Sequence, residues 1–183
     1  MKSKLLDSVR DTIYEYLESL RFDGKGIKIQ LGYSGGIDSS CLLDILLSLQ
    51  NELKLSIFLS YVNYNTSRYS SLVLKHIESL PNKVNKNIKS VNINMSDNFE
   101  SKARDIRYDF FDEISNKHDI DLTFTAHHKK DQLETLVMQF INGSDFVSML
   151  GIREKLGDIR RPLLECRKSS IIDYARKNKV IFF

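Results

Sequence analysis

The sequence predicts an α/β fold, an open parallel sheet of about five strands with helices on both faces. Three observations lead there. Strand-like apolar runs stand near residues 27–33, 55–62, 88–95 and 120–126. Each is followed by a helical pattern, at the spacing of about 30 residues that a βαβ unit occupies. The 183 residues, 42% of them hydrophobic, suffice to bury one substantial core without disulfides or metals. A single domain over residues 1–183 is therefore expected.

Along the chain, MKSKLLDSVRDTIYEYL reads as an amphipathic helix with acids throughout rather than a signal peptide. No run approaches the length of a membrane span, so a cytoplasmic protein that uses no membrane is expected. Ile27, Ile29 and Leu31 form the first strand. It runs into Gly32–Ser40, read as GYSGGIDSS, after which Leu42, Leu43, Leu46, Leu47 and Leu49 follow with helical spacing. Leu55 to Val62 is almost wholly apolar, as a central strand covered on both faces should be. The Asn-rich run beginning at Pro81 reads as a surface loop, and Val91, Ile93 and Met95 then alternate with polar residues as in a more exposed strand. A helix from about Asn98 to Lys117 carries Tyr108, Phe110 and Phe111 as its apolar face. Leu122, Phe124 and Ala126 suggest a short buried strand, and Val180, Ile181, Phe182 and Phe183 the start of a last one.

The turn at Gly32–Ser40 carries the chemistry. Gly35 and Gly36 let backbone amides approach an anion closely. Ser34, Ser39 and Ser40 add hydroxyls at a helix N-terminus whose partial positive charge favours phosphate. Asp38 is discordant beside phosphates unless a divalent cation stands between them, so it makes sense as a Mg²⁺ ligand. No lysine follows the glycines, so neither GxxxxGK[ST] nor GxGxxG is met.

His127 and His128 sit where a βα loop would deliver side chains to the carboxyl edge of the sheet. Asp131 and Glu134, three apart on the following helix, project from one face. That acidic pair suits a cationic amine, whose proton it could accept; it equally suits an ordinary first helical turn whose acids complement the dipole. Arg104 and Arg107 lie one turn apart on the preceding helix, as phosphate ligands or as solvated arginines. Cys41 and Cys166 are widely separated, with no CxxC, which counts against iron–sulfur or persulfide chemistry. The net charge is +3, but Arg153 to Lys179 holds nine Lys or Arg against four Asp or Glu, a basic concentration compatible with an RNA backbone.

SGGIDS resembles the SGGxDS signature of the PP-loop ATP pyrophosphatases, which cleave ATP between the α and β phosphates. A second block, TAHHKKDQLET over Thr125–Thr135, is followed by Asn142-Gly143-Ser144, Met149-Leu150-Gly151 and Arg161-Pro162-Leu163-Leu164 with Arg167. Together with Ala103-Arg104 and Arg107-Tyr108, these motifs resemble, in order, the N-terminal catalytic domain of the tRNA(Ile)-lysidine synthase family, over about Lys28 to Lys179. The resemblance implies an ATP- and Mg²⁺-dependent ligase that adenylates C2 of the wobble cytidine of tRNA(Ile) with a CAU anticodon and joins free L-lysine to it. It implies catalytic roles for Asp38, Arg107, Asp131 and Glu134, with Asp38 as metal ligand. It implies nucleotide contacts at Tyr33, Ser34, Gly35, Gly36, Ile37, Asp38, Ser39, Ser40, Asn63 and His127. The edges at Tyr33-Ser34 and Tyr61-Val62-Asn63 would flank adenine and ribose.

Three departures accompany the likeness. Tyr64 stands where members commonly carry a histidine, and Lys130 replaces the first of an Asp pair whose second member, Asp131, is present. The sequence also stops before the Asn- and Arg-containing segment that follows in the family, so a truncated or minimal catalytic domain without a C-terminal tRNA-binding domain is expected. Another PP-loop ligase, or a silent ATP- or RNA-binding module, is the alternative function.

Overall fold

The computed structural model describes residues 4–19, 26–65, 68–92, 99–134 and 152–183. Six strands form one sheet in the order β3-β2-β1-β4-β6-β5. They are β1 (Ile27–Tyr33), β2 (Leu55–Asn63), β3 (Val84–Ser90), β4 (Leu122–Thr125), β5 (Lys155–Leu156) and β6 (Ile159–Arg160). All neighbouring pairs are parallel except β5 with β6. The helices are α1 (Lys4–Ser19), α2 (Ile37–Leu49), α3 (Ser70–Ser79), α4 (Phe99–His118), α5, described over 129–134, and α6 (Lys168–Asn178). None of the described helices is long and apolar enough to cross a membrane.

Leu5, Val9 and Ile13 recur every four residues along α1 and are buried, so one stripe of that helix joins the core. They meet α2 and α6 beside β1, with Val73 and Ile77 of α3 in the same cluster. The opposite face of the sheet is covered by α4 through Phe110, Phe111 and Ile114. Gly32 permits that packing, because a Cβ there would lie 2.5 Å from Phe111 Cζ. A buried polar ladder ties the central strands: Gln30 donates to Ser60 Oγ at 2.8 Å and accepts from Thr123 Oγ1 at 3.1 Å. Both amide atoms of a wholly buried glutamine are thus satisfied across β2, β1 and β4.

Three expectations on elements need correction. The third strand begins at Val84, within the Asn-rich run, and is paired with β2 from Ile57↔Val84 to Asn63↔Ser90. It is an edge strand, buried only at Val84, so its polar residues face water and leave no apolar alternation to read. Ile93 and Met95 lie outside the described residues. Val180–Phe183 forms no strand; Val180 closes α6 by donating to the Ala175 carbonyl, and Phe183 N–H donates to Gly35 O at 2.9 Å. The sheet also gains the β5–β6 hairpin, whose two-residue strands are too short to show a period.

Strand order reverses between β1 and β4, since the chain leaves β1 toward β2 and β3 and returns to β1's other side. The loops after β1 and β4 therefore open side by side at the carboxyl edge, where open α/β sheets bind ligands.

Candidate active site

The loop after β1 is built from its own residues. Gly35 adopts φ +81, a left-handed conformation, and a Cβ there would stand 2.6 Å from Val73 Cγ2. Ser39 Oγ accepts from Ser34 N–H at 3.2 Å, lies 3.0 Å from Ser34 Oγ, and donates to Gly36 O at 3.1 Å. Gly36 N–H donates to Ser34 Oγ at 3.3 Å. Gly36 is the N-cap of α2 and gives no side-chain cap, so the amides of Ile37, Asp38 and Ser39 face the loop without one. Ser40 N–H donates to Gly36 O at 3.0 Å, which begins the helix. Such an uncapped, glycine-opened helix start is an anion cradle.

Not every residue of the nucleotide set points outward. Tyr33 and Ser40 are buried and bonded to each other at 3.1 Å. Burial is also the main reason the Tyr33 phenol is pushed up from its ordinary value. Asn63 is buried and holds Asn65 through both amide atoms, accepting from Asn65 N–H at 3.0 Å and donating to its side chain at 2.8 Å. Ile37 is half-buried against the core.

Asp38 faces the second loop. Lys168 Nζ, at the start of α6, donates to both Asp38 oxygens at 2.7 Å. His128 Nε2 lies 3.6 Å from Asp38 Oδ1, and its Nδ1 lies 3.2 Å from Asp131 Oδ2. Backbone N–H groups of Lys130 and Asp131 point at that Nδ1 from 3.2 and 3.4 Å, while Nε2 faces Asp38. Asp131 also accepts from His128 N–H at 2.8 Å, which caps α5. Glu134 instead turns to Lys130, 3.3 Å away on the exposed side of the helix.

A second group lies toward α4. His127 Nδ1 is 3.0 Å from Thr125 Oγ1. Burial, then the charge of Arg161, hold the His127 imidazole down to about 4; Asp131 opposes this, while Arg104 and Arg107 add to it. The ring is therefore neutral at pH 7. Arg161 is buried, with Nη2 at 3.5 Å from Tyr108 Oη, Nη1 on the Arg153 carbonyl, and Nε without a hydrogen-bond partner among the described residues. Arg104 stacks on the Tyr108 ring at 5.0 Å, and Arg107 is exposed.

Thus Asp38 and Asp131 meet through His128, whereas Arg104, Arg107 and Arg161 form a separate cationic flank around neutral His127. Lys168, His128 and Arg161 are absent from the site set inferred from the sequence. Arg161 and His128 stand inside the quoted motifs. Lys168 gives only one signal, a cation on the first turn of a helix, where the dipole opposes it and a carboxylate partner is called for.

Cys41 and Cys166 are free and buried. Burial, helped by Asp38 and Asp44, pushes the Cys41 thiol up to about 12, so it is no thiolate at neutral pH. Among the described residues, no three His, Cys, Asp or Glu side chains gather into a metal cluster.

Residues 6–183 match the PP-loop domain. A tRNA(Ile)-lysidine synthase of Clostridium tetani is 32% identical over 96% of this chain and 39% of that protein. One from Persephonella marina is 31% identical over 94% of this chain and 40% of its own length. The chain thus spans about two-fifths of these relatives. A U34-tRNA thiolase of Methanococcus maripaludis with a [4Fe-4S] cluster superposes with TM-score 0.71 at 17% identity, covering 96% of this chain and 66% of that one. An NH3-dependent NAD synthetase of Campylobacter jejuni gives 0.62 at 17% identity, covering 98% and 75%. Those two likenesses speak for the fold.

Proposed function

The chain belongs to the PP-loop family, and from that premise we propose that it is an ATP-dependent ligase domain that joins lysine to the wobble cytidine of tRNA(Ile) with a CAU anticodon. The observation carrying this reading is Asp38 standing at the mouth of the uncapped α2 start, beside His128 and Asp131. The relatives' names support the choice of RNA, and the free, buried cysteines argue for ligation over sulfur transfer.

In this reading the loop amides and the Ser34 hydroxyl bind the β and γ phosphates of ATP, and the buried Ser39 hydroxyl, bonded to Ser34 N–H and Gly36 O, holds the loop in shape for them. Asp38, partly exposed and paired with Lys168, would hold Mg²⁺, a cation that proteins bind through one or two carboxylates together with substrate phosphates. Bound at Asp38, Mg²⁺ would neutralise charge on the departing pyrophosphate. The cytidine O2 attacks the α phosphorus, the bond to the bridging oxygen breaks, and pyrophosphate leaves. The lysine ε-amine, after losing a proton, attacks C2, and AMP departs with the former O2.

Asp131 would accept the proton of that amine, and Glu134 would attract its cationic form on exchanging its present partner, Lys130. Neutral His127 donates or accepts a hydrogen bond without adding charge, and Arg107 and Arg104 lie on the same flank for the phosphates. Arg153 to Lys179 supplies basic surface for the RNA backbone. The test is transfer of labelled lysine to an unmodified transcript with a CAU anticodon. Stable incorporation, lost when the wobble cytidine is replaced by uridine, is expected. Mg-ATP binding with no incorporation into any anticodon variant would overturn the reading.

A further inference from the structure

The β1 loop lacks the lysine that nucleotide-binding loops often use for terminal phosphates: Gly36 is followed by Ile37 and Asp38, and the loop's one formal charge is negative. The structure brings a lysine to that place from 130 residues away. Lys168 Nζ donates to both oxygens of Asp38.

The root of this lysine is firmly set. Its helix packs on α2, Cys41 Sγ–H reaches the Ile171 carbonyl at 3.6 Å, and Tyr174 Oη donates to Asp44 Oδ2 at 2.8 Å. Its tip, on a four-carbon stem, is about one-third exposed. One side of it borders a groove of about 380 Å³, lined also by Lys129, Lys130, Gln132, Leu133 and Arg167. The position costs stability unless an anion is present, because the first turn of a helix repels a cation. Asp38 meets that need in the structure. A divalent cation on the same carboxylate would compete with the ammonium and repel it, while a triphosphate would bring new negative charge to the same mouth.

Resting on the reading of this loop as a Mg-ATP site, we propose that Lys168 is a polyphosphate ligand. It guards the Asp38 carboxylate until Mg-ATP enters, then passes to the β and γ phosphate oxygens and stays with the pyrophosphate as the α–β bond breaks. The carboxylate and the lysine form one exchangeable ion pair, and the α6 start supplies the cation that the loop omits.

The experiment compares calorimetric affinities for Mg-ATP, Mg-pyrophosphate and AMP in the wild type, Lys168→Ala and Lys168→Arg. Loss of one charge-assisted contact should weaken Mg-ATP and Mg-pyrophosphate by about 10- to 100-fold in Lys168→Ala. AMP, which lacks those phosphates, should change less than about twofold, which also certifies the variant's fold. Lys168→Arg should recover most of the loss. Equal weakening of AMP and Mg-ATP, or unchanged pyrophosphate affinity, would overturn the proposal and leave Lys168 a structural counter-ion. A wild type that binds neither Mg-ATP nor pyrophosphate would instead overturn the underlying reading of the loop, and this proposal with it.

Discussion

The loops after β1 and β4 lie side by side at the carboxyl edge of the sheet, yet they are held together in opposite ways. The first takes its backbone shape mostly from its own residues: Ser34, Gly36, Ser39 and Ser40 bond among themselves within seven residues, and distant chain joins it at Gly35 O, from Phe183, and at Asp38, from Lys168. The second depends on distant chain. Lys129 N–H donates to the Cys166 carbonyl at 3.2 Å, His128 reaches Asp38, and His127 is kept neutral by burial and then by the charge of Arg161. The difference separates two tasks. Backbone geometry for an anion can be encoded locally, whereas the charge balance of a site must be gathered from several elements.

That comparison can be broken at its local half first. Gly35→Ala combines an unfavourable left-handed φ with a Cβ 2.6 Å from Val73. Strain and overpacking together should cost roughly 2–5 kcal/mol in urea unfolding. Nucleotide affinity should fall further than stability does, because the loop amides move. Adding Val73→Ala should return only part of the loss, since it removes the clash but not the φ penalty. Full recovery would mean that the positive φ carries no cost.

The non-local half is tested by pH. A histidine held down to about 4 in the fold and near 6.5 when unfolded binds more protons in the unfolded chain between those values. Its depressed value therefore leaves stability intact above pH 6.5 and drains it as pH falls toward 4. With partial exposure discounted, the loss is roughly 2 kcal/mol. His127→Asn can still accept from Thr125 but does not titrate, so its stability should fall less between pH 7 and 4.5 than that of the wild type. Parallel pH slopes for the two proteins would show that burial and the Arg161 flank together do not hold this ring down.

The same division explains what was legible in the sequence. The β1 strand, the glycine turn and the leucines of α2 stood in one stretch, with period and turn chemistry agreeing, and the parallel sheet followed from their repeat. The helix expected over about 98–117 falls at Phe99–His118, because Phe110, Phe111 and Ile114 mark its buried face. The edge strand β3 escaped at its start, since a strand with one partner needs few apolar residues. Lys168 escaped because an ion pair 130 residues long leaves no local pattern, only a cation in an unfavourable place. The inward turn of Tyr33 and Asn63 was equally invisible: a motif gives the order of residues and not which side chains the core or a neighbouring turn has already claimed.

The most direct test of the account is which bond of ATP the protein breaks. With α-labelled ATP, Mg²⁺, lysine and an unmodified CAU transcript, the account predicts labelled AMP and an equal yield of pyrophosphate, both abolished by Asp38→Ala with the fold retained by circular dichroism. Labelled ADP as the product, or AMP formation that survives Asp38→Ala undiminished, would contradict it.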